Sequence, residues 1–361
     1  MHKLGISIYP ENSTPEKDAA YIEAAAQHGF TRVFSCLLSA NAPKERVMSE
    51  FTALDDLAHE NGMEVCLDVA PSTFEKLGID YSDLSFFSEV HADAIRLDEA
   101  FDAAAVAEMT RNPQGLSIEL NASTCDGTLD AVMRHDPNTD RLMACHNYYP
   151  QRFSGLGLER FMESSREVKR YGLELAAFIS APDRTAFGPW PVRNGLCTLE
   201  CHRGMPMSLQ ARHLFALGLI DDVMVANCFP SEKDLEGLGS VDPSRIMFHV
   251  ELEDDPTEVE RAIMLDYPHM VRGDFSDYAA RSTQCRIAYA DADIAPHNTH
   301  DIHPGSVIVV NERSTRYKGE LQLALSPMPN DGSKNVVAHL APQECILLDL
   351  LDSWKHFGFF V

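Results

Sequence analysis

LGISIYPENSTPEKDAAYIEAAAQHGFTRVFSCL, residues 4–37, contains the unit from which the fold is built. A short apolar run, LGISIY, precedes a stretch with helical spacing, where Thr14 can cap a helix, Pro15 takes its first position and Gly29 follows its end. A second apolar run starts at Arg32. This order predicts two parallel strands joined by a crossover helix.

The same unit recurs along the next 200 or so residues, with a short apolar run roughly every 25 to 30 residues. Runs rich in Val, Ile and Leu without clean alternation are typical of parallel strands covered on both faces. The eight runs begin at Leu4, Arg32, Glu64, Ala94, Leu116, Leu142, Glu174 and Asp222. They predict an α/β fold, a (β/α)8 TIM barrel over residues 1–236, with an open doubly wound sheet as the alternative.

The pattern changes after Asp234, where GLGSVDPS, residues 237–244, is predicted to be a turn-rich linker. Residues 245–361 are predicted to form a smaller, mainly β domain, in which residues 329–332 read as a hairpin turn between two strands. The predicted strands of this domain cover residues 246–252, 286–289, 306–310, 321–325 and 345–350.

Composition restricts the class of protein. The formal net charge of −25 argues against a nucleic-acid partner and against binding to an anionic membrane. No apolar run reaches the ~18 residues that a membrane span needs, and residues 1–9 enter a strand pattern without a signal peptide. We therefore expect a cytoplasmic protein. The nine cysteines show no CxxC spacing, which predicts reduced thiols and no metal site built on them.

Polar side chains stand at the ends of the predicted strands. In a barrel these ends meet at one face, where the loops that follow the strands carry the active site. An internal salt bridge of Arg96 with Asp68 or Asp98 is the alternative explanation for those three residues. For the whole set an active site is favoured. The set is Glu11, Asp68, Arg96, Asp98, Glu119, Asn121, His146, Asn147, Tyr149 and Asn227.

The loop after the seventh predicted strand, residues 180–206, is the longest in the barrel and carries Glu200, His202 and Arg203. Long loops in compact domains are usually functional or disordered, and this one is too apolar for disorder. Barrels often bind phosphate at this position, although a purely structural lid is the alternative.

The small domain adds two sets of polar residues. Arg281 is a candidate to reach the barrel mouth, and a solvated or interface arginine is the alternative. His297, His300 and His303 stand three residues apart, a spacing that can ligate a metal. Without a supporting carboxylate pattern we predict no metal site.

Several carboxylates together with Asn, His and Tyr suit glycoside hydrolysis, in which one carboxylic acid protonates the leaving oxygen and a second carboxylate acts as nucleophile or activates water. Tyr149 or Trp190 can pack on a sugar ring. The sequence contains no nucleophile elbow, Gly-rich phosphate loop or cofactor fingerprint, so we expect no cofactor. A sugar-phosphate isomerase or aldolase is the alternative, although no Schiff-base lysine stands at a strand end.

The chain also resembles a known family, the bacterial 6-phospho-N-acetylmuramidases, which combine a barrel with a C-terminal cyclophilin-like β domain. The strings that carry the resemblance are GISIYPE, RLDEAF, IELNAS, HNYYPQRFSGLG, GLCTLECHR and RSTQCRIAY. The resemblance implies cleavage of a disaccharide, N-acetylmuramic acid 6-phosphate β-linked to N-acetylglucosamine, during cell-wall recycling. A hydrolase of another 6-phosphosugar glycoside, an isomerase or epimerase, and a non-catalytic sugar-phosphate-binding protein remain the alternatives.

With this substrate, Asp98, Glu119 and Glu200 are predicted to supply the catalytic pair between them. Asp98 and Glu200 follow strands four and seven, where many barrel glycosidases place their carboxylates, and Glu119 can instead orient the acetamido group. The predicted ligands of the phosphate or the lactyl carboxylate are Arg152, His202, Arg203 and Arg281. Retention or inversion of the anomeric centre, and the oligomeric state, stay open.

Overall fold

The computed structural model describes residues 2–37, 44–99, 101–191 and 193–361. The chain forms two compact units, of which the first ends at Val241 and the second is Asp242–Val361. The division falls inside the predicted linker. The first part of that linker is helical, however, because Ser231 caps a helix that runs through Gly239 and buries Leu235 and Leu238.

The first unit is a closed barrel of eight parallel strands in sequential order, in which the last strand pairs with the first. The strands are β1 (Lys3–Ile8), β2 (Arg32–Cys36), β3 (Glu64–Val69), β4 (Ala94–Leu97), β5 (Ser117–Asn121), β6 (Leu142–Cys145), β7 (Glu174–Ile179) and β8 (Asp222–Val225). Each lies on one of the eight predicted runs. The barrel prediction is therefore confirmed, and the open sheet is excluded.

Helices follow the strands around the barrel. They are α1 (Pro15–Gln27), α2 (Lys44–Glu60), α3 (Pro71–Leu77), α4 (Ser85–Glu89), α5 (Ala103–Met109), α6 (Thr128–Met133), α7 (Leu158–Arg170), α8 (Met207–Ala216) and α9 (Glu232–Gly239). In α2 the buried side chains include Val47, Phe51 and Leu54, three or four residues apart, as expected for one apolar face. No helix of the described ranges is long and apolar enough to cross a bilayer.

Alternation along the strands separates apolar from charged positions. Val33, Val65, Ile95 and Ile118 are at most 1% exposed and supply apolar side chains of the main core cluster. The residues that alternate with them point to the opposite face, the barrel interior. Several of these are charged, and the closed barrel brings them together.

The second unit contains one seven-stranded sheet in the order β10-β15-β9-β14-β12-β13-β11. Its strands are antiparallel except for the parallel pair of β15 and β9. The elements are β9 (Ile246–Leu252), α10 (Glu258–Leu265), β10 (His269–Met270), β11 (Ala279–Ser282), α11 (Cys285–Ala288), β12 (Ser306–Val310), β13 (Leu321–Ala324), β14 (Lys334–Leu340) and β15 (His356–Phe360).

Three sequence predictions for this unit are wrong. Residues 286–289 fall mainly in α11, and residues 345–350 form the end of a 3₁₀ helix that begins at Pro342. Apolar runs of four to six residues do not distinguish a strand from a short helix by periodicity. The turn at residues 329–332 joins no hairpin either, because β13 and β14 lie on opposite sides of β12.

Candidate active site

A chain of buried ion pairs crosses the barrel interior. At the end nearer the amino termini of the strands, Arg32 donates from Nη1 to Asp222 (2.7 Å) and from Nη2 to Glu119 (2.8 Å). The three side chains are at most 5% exposed. An unpaired buried charge is strongly destabilising, so each of these charged side chains is stabilised in the barrel interior by its ion-pair partner.

Arg96 continues the chain towards the carboxyl ends of the strands. Its Nη1 donates to Asp68 Oδ1 at 2.6 Å and to Asp98 Oδ1 at 2.9 Å, and its Nη2 donates to Asn147 Oδ1. Its Nε lies 3.9 Å from Glu119 Oε1. Arg96 therefore joins the interior chain to two carboxylates and one amide at the barrel mouth.

The two carboxylates that share Arg96 differ in their surroundings. Asp68 is only 4% exposed in its side chain, whereas Asp98 is 29% exposed. Burial raises the pKa of Asp68 to about 7; the charge of Arg96 opposes this rise and the charge of Asp98 adds to it. A carboxyl group that holds a proton near neutral pH thus lies beside a carboxylate that faces solvent, an arrangement suited to acid–base chemistry.

Glu200 belongs to the loop that follows β7 and bonds to the loop that follows β6, and both of its carboxylate oxygens have their hydrogen-bonding capacity filled. Oε1 accepts from Phe153 N and Arg203 Nε, and Oε2 accepts from Gly155 N and Arg203 Nη2, all at 2.7–2.9 Å. The bonds from Arg203 lower the pKa of Glu200 to about 2. A Cβ at residue 155 would lie 2.7 Å from Oε2, so this close approach requires glycine. Glu200 is placed to hold the two loops together.

Arg203, like Glu200, connects the loops that follow β6 and β7. Besides Glu200 it bonds to the main-chain oxygens of Asn194, Gly195 and Tyr149 at 2.8–3.0 Å. Every N–H of its guanidinium therefore has a partner in the protein.

Three predicted binding residues are buried away from solvent. His202 is fully buried with its Nε2 2.9 Å from His213 Nδ1, and burial holds its pKa well below the usual value. His146 lies 2.9 Å from Ser165 of α7, and burial lowers its pKa to about 3. Asn227 exchanges two hydrogen bonds with the main chain that follows β7. All three side chains are therefore buried and bonded to other protein groups, and they stabilise the loops at the barrel mouth.

The mouth itself is lined by half-buried and exposed polar groups. Asn121, at the end of β5, donates to the main-chain oxygen of Asp98 at 3.3 Å. Asn147 and Tyr149 are half-buried after β6, and Glu11 is exposed in the turn after β1. Trp190 is 42% exposed in the loop after β7. These groups have the chemistry that sugar hydroxyls and sugar rings require.

A cleft of about 450 Å³ opens between the loops that follow β6 and β7. Three exposed arginines line it: Arg152, Arg184 and Arg193. Asp183 and the already paired Glu200 are its carboxylates. Within the described ranges no salt bridge engages any of the three arginines. The cleft is a cationic site in a chain of net charge −25.

Arg152 was predicted from the sequence to bind substrate, whereas Arg184 and Arg193 were not. Both belong to the long loop that was predicted to be functional, and their charge in a strongly acidic chain was the available signal. The predicted partner Arg281 belongs to the second unit. There it donates two hydrogen bonds to the fully buried Glu320, at 2.7 and 3.0 Å.

Comparison with known proteins shows the family of the chain. The family model of the 6-phospho-N-acetylmuramidase N-terminal domain matches residues 4–240, and that of the C-terminal domain matches residues 246–360. The chain belongs to the 6-phospho-N-acetylmuramidase family. The predicted family and the predicted enzyme class are thereby confirmed, and the chain is a glycoside hydrolase.

Two solved structures show the same architecture over the whole chain. An uncharacterised protein from B. cereus is 45% identical and has a TM-score of 0.93, with 100% of this chain and 99% of that chain covered. A conserved protein of unknown function from Enterococcus faecalis is 24% identical with a TM-score of 0.74, covering 99% and 96%. No curated protein matches the sequence.

The barrel has a second cavity, of about 360 Å³, at the amino ends of its strands. Lys3, Glu64 and Glu174 line it at the starts of β1, β3 and β7. Barrel enzymes carry their chemistry at the opposite face, and the amino-terminal face serves stability. The mouth around Arg96 is therefore the candidate active site.

Proposed function

We propose that this enzyme hydrolyses the glycosidic bond between N-acetylmuramic acid 6-phosphate and N-acetylglucosamine, in the cytoplasm, during recycling of the cell wall. The observation that carries the proposal is the pair of carboxylates, Asp68 and Asp98, held by the single guanidinium of Arg96. A cleft rich in arginine lies at the neighbouring loops and suits the phosphate of the substrate.

In the proposed reaction Asp68 is the acid and Asp98 the nucleophile. The proton of Asp68 passes to the glycosidic oxygen as the bond from that oxygen to the anomeric carbon breaks. Asp98 forms a bond to the anomeric carbon. Asp68, now ionised, then takes a proton from water, whose oxygen displaces Asp98 and restores both groups.

The spacing of this pair favours retention of the anomeric configuration. The Oδ1 atoms of Asp68 and Asp98 lie 2.6 and 2.9 Å from the same nitrogen, so their separation cannot exceed the sum of these distances. Retaining glycosidases hold their carboxyl groups about 5–5.5 Å apart, and inverting enzymes about 6.5–9.5 Å.

Of the three residues predicted to be catalytic, Asp98 keeps that role in this proposal, and Glu119 and Glu200 have supporting positions. Glu119 is 1% exposed and bonds to Arg32, so it acts on the substrate only through the charge and placement of Arg96. Glu200 has no free lone pair and holds the loops that form the arginine cleft. Both are proposed to be positioning residues.

The function is tested by incubating the purified protein with the muramyl–glucosamine disaccharide, with and without its 6-phosphate, and analysing products by mass spectrometry. We expect cleavage of the phosphorylated form alone, with NMR showing that the first product has the β configuration. Cleavage of a different 6-phosphoglycoside but not this one would contradict the substrate. Initial release of the α anomer would contradict the proposed pair.

The arginine cleft gives a separate prediction. The double variant Arg184→Gln/Arg193→Gln is expected to raise KM for the phosphorylated disaccharide about 100-fold, because each charge-assisted bond to phosphate contributes about 1.5–3 kcal/mol. We expect kcat to change little, since phosphate is bound equally in ground and transition states. Arg46→Gln, on the exposed face of α2, is the matched control. Equal KM values in the control and the double variant would show that the substrate phosphate does not bind in this cleft.

A further inference from the structure

Three side chains of the second unit converge at one point on its surface. His339 Nε2 lies 2.5 Å and His300 Nε2 lies 3.3 Å from the same oxygen, Glu253 Oε1. The three ligand atoms lie within 4.8 Å of one another. Two imidazole nitrogens and a carboxylate oxygen form a donor set that binds Zn²⁺ and similar divalent ions.

The outer nitrogens of both histidines are occupied in a way that directs Nε2 inward. His300 Nδ1 lies 3.1 Å from the main-chain oxygen of Asp301, which can only accept, so this nitrogen carries the proton of a neutral ring. His339 Nδ1 lies 3.3 Å from Ser306 Oγ. Such outer partners fix the tautomer and the ring orientation of metal-binding histidines.

The neutral form of His300 therefore leaves the Nε2 lone pair directed at the carboxylate of Glu253, 3.3 Å away. Two electron-rich atoms at this distance repel each other unless a cation lies between them. A proton on Nε2 resolves the repulsion, and so does a metal ion bound to both atoms. The cluster is arranged for a cation in either case.

Two of the ligands are held by the sheet. His339 belongs to β14 and pairs with Glu251 of β9, and the N–H of Glu253 continues the ladder by bonding to Val337 O at 3.0 Å. Glu253 and His339 are thus diagonal neighbours on one face of the sheet, within reach of each other. His300 comes from the loop that precedes β12.

The space suits an ion. Ligand atoms about 2.0–2.2 Å from zinc lie roughly 3.4 Å apart in a tetrahedral site. The carboxylate oxygen lies 3.3 and 2.5 Å from the two imidazole nitrogens, and all three atoms lie within 4.8 Å of one another. The side chains of His300 and His339 are 47% and 36% exposed, which leaves room for water as a further ligand. The sequence motif considered above included His297 and His303, but His297 instead contacts the buried Glu260 at 2.8 Å.

We propose that Glu253, His300 and His339 bind one divalent transition-metal ion, of which Zn²⁺ is the representative, and that the ion fastens the loop of His300 to the sheet. The site lies in the second unit and is independent of the proposed glycosidase function.

The test uses the full-length protein, stripped with a chelator and titrated with ZnCl₂ by calorimetry. We expect one ion per chain, a melting temperature that rises with zinc, and visible absorption when Co²⁺ replaces zinc. The variants Glu253→Gln and His300→Ala/His339→Ala are each expected to weaken binding at least about 100-fold and to abolish the zinc-dependent rise in melting temperature. His303→Ala, an exposed histidine of the same loop, is the matched control and is expected to bind zinc normally.

No saturable binding to the wild-type chain would overturn the proposal. So would binding that persists unchanged in the double histidine variant, because it would place the ion elsewhere, for example at the exposed Cys201 or Cys345. A double variant that unfolds without zinc is replaced by Glu253→Gln, whose smaller change keeps the comparison with His303→Ala.

Discussion

Replacing Asp98 with asparagine is expected to lower kcat for the phosphorylated disaccharide by about 10³-fold, within the usual contribution of a catalytic carboxylate. The amide keeps the shape of the side chain and can still accept from Arg96, so the barrel mouth stays assembled. It cannot form the bond to the anomeric carbon. Steady-state kinetics with purified variant and wild type measure the effect.

The matched control is Glu99→Gln, which removes the neighbouring exposed carboxylate and is expected to retain activity within a few fold. Thermal unfolding of both variants should stay near that of the wild type, which separates lost chemistry from lost structure. Full activity of the Asp98→Asn variant would exclude Asp98 from the reaction.

The wild-type pH profile gives a second readout for the pair. Because burial raises the pKa of Asp68 to about 7, the acid form disappears as the pH rises through that value. We therefore expect kcat to fall on the alkaline side of neutrality. The variant Asp68→Asn should lose most of the activity and this alkaline limb together.

Replacing Arg96 with methionine is expected to cost about 3–5 kcal/mol in the free energy of unfolding, because it removes the cation from a buried ion pair. Asp68 loses its cationic partner at 2.6 Å, and Glu119 loses the nearby charge at 3.9 Å while keeping Arg32. Asp98 also loses its anchor, so we expect no measurable glycosidase activity. Chemical denaturation followed by circular dichroism measures the loss of stability.

The stability of this variant should depend on pH in a defined direction. Without Arg96 the pKa of the buried Asp68 rises further above its unfolded value, so the folded state is favoured at low pH and loses stability as the pH rises through the folded pKa. The deficit relative to wild type should therefore be smaller at pH 5 than at pH 8. An equal deficit at both values, or an equal loss in the exposed control Arg46→Met, would contradict a buried-charge origin.

The barrel was predictable because its signal is local and repeated. Each strand is a short apolar run, and Pro15 and Gly29 mark the ends of the first helix region in the sequence itself. The second unit was less predictable, since its sheet depends on pairing between distant strands. The strands β10, β11, β14 and β15 were missed, and the run at residues 345–350 was assigned to the wrong element.

The candidate site was predictable in its residue types but not in its pairings. Charged residues at strand ends identified Asp68, Arg96 and Asp98 as a group. The same rule predicted Glu119 and Glu200 as catalytic candidates together with Asp98. A sequence does not show which carboxylate oxygens will accept hydrogen bonds from the main chain and from neighbouring arginines.

The sequence by itself determined the order of strands and helices in the barrel and the residue types of the candidate site, because these depend on local periodicity and composition, and its motifs carried the resemblance to the family. Only the tertiary structure decided which carboxylate faces solvent, which is braced by Arg203, and which arginines line the cleft. It also brought Glu253, His300 and His339 together from three separate segments. Burial, and with it the pKa of a carboxyl group or the ligation of an ion, depends on neighbours that are distant in the chain, and closure of the barrel and pairing of the sheet supply those neighbours.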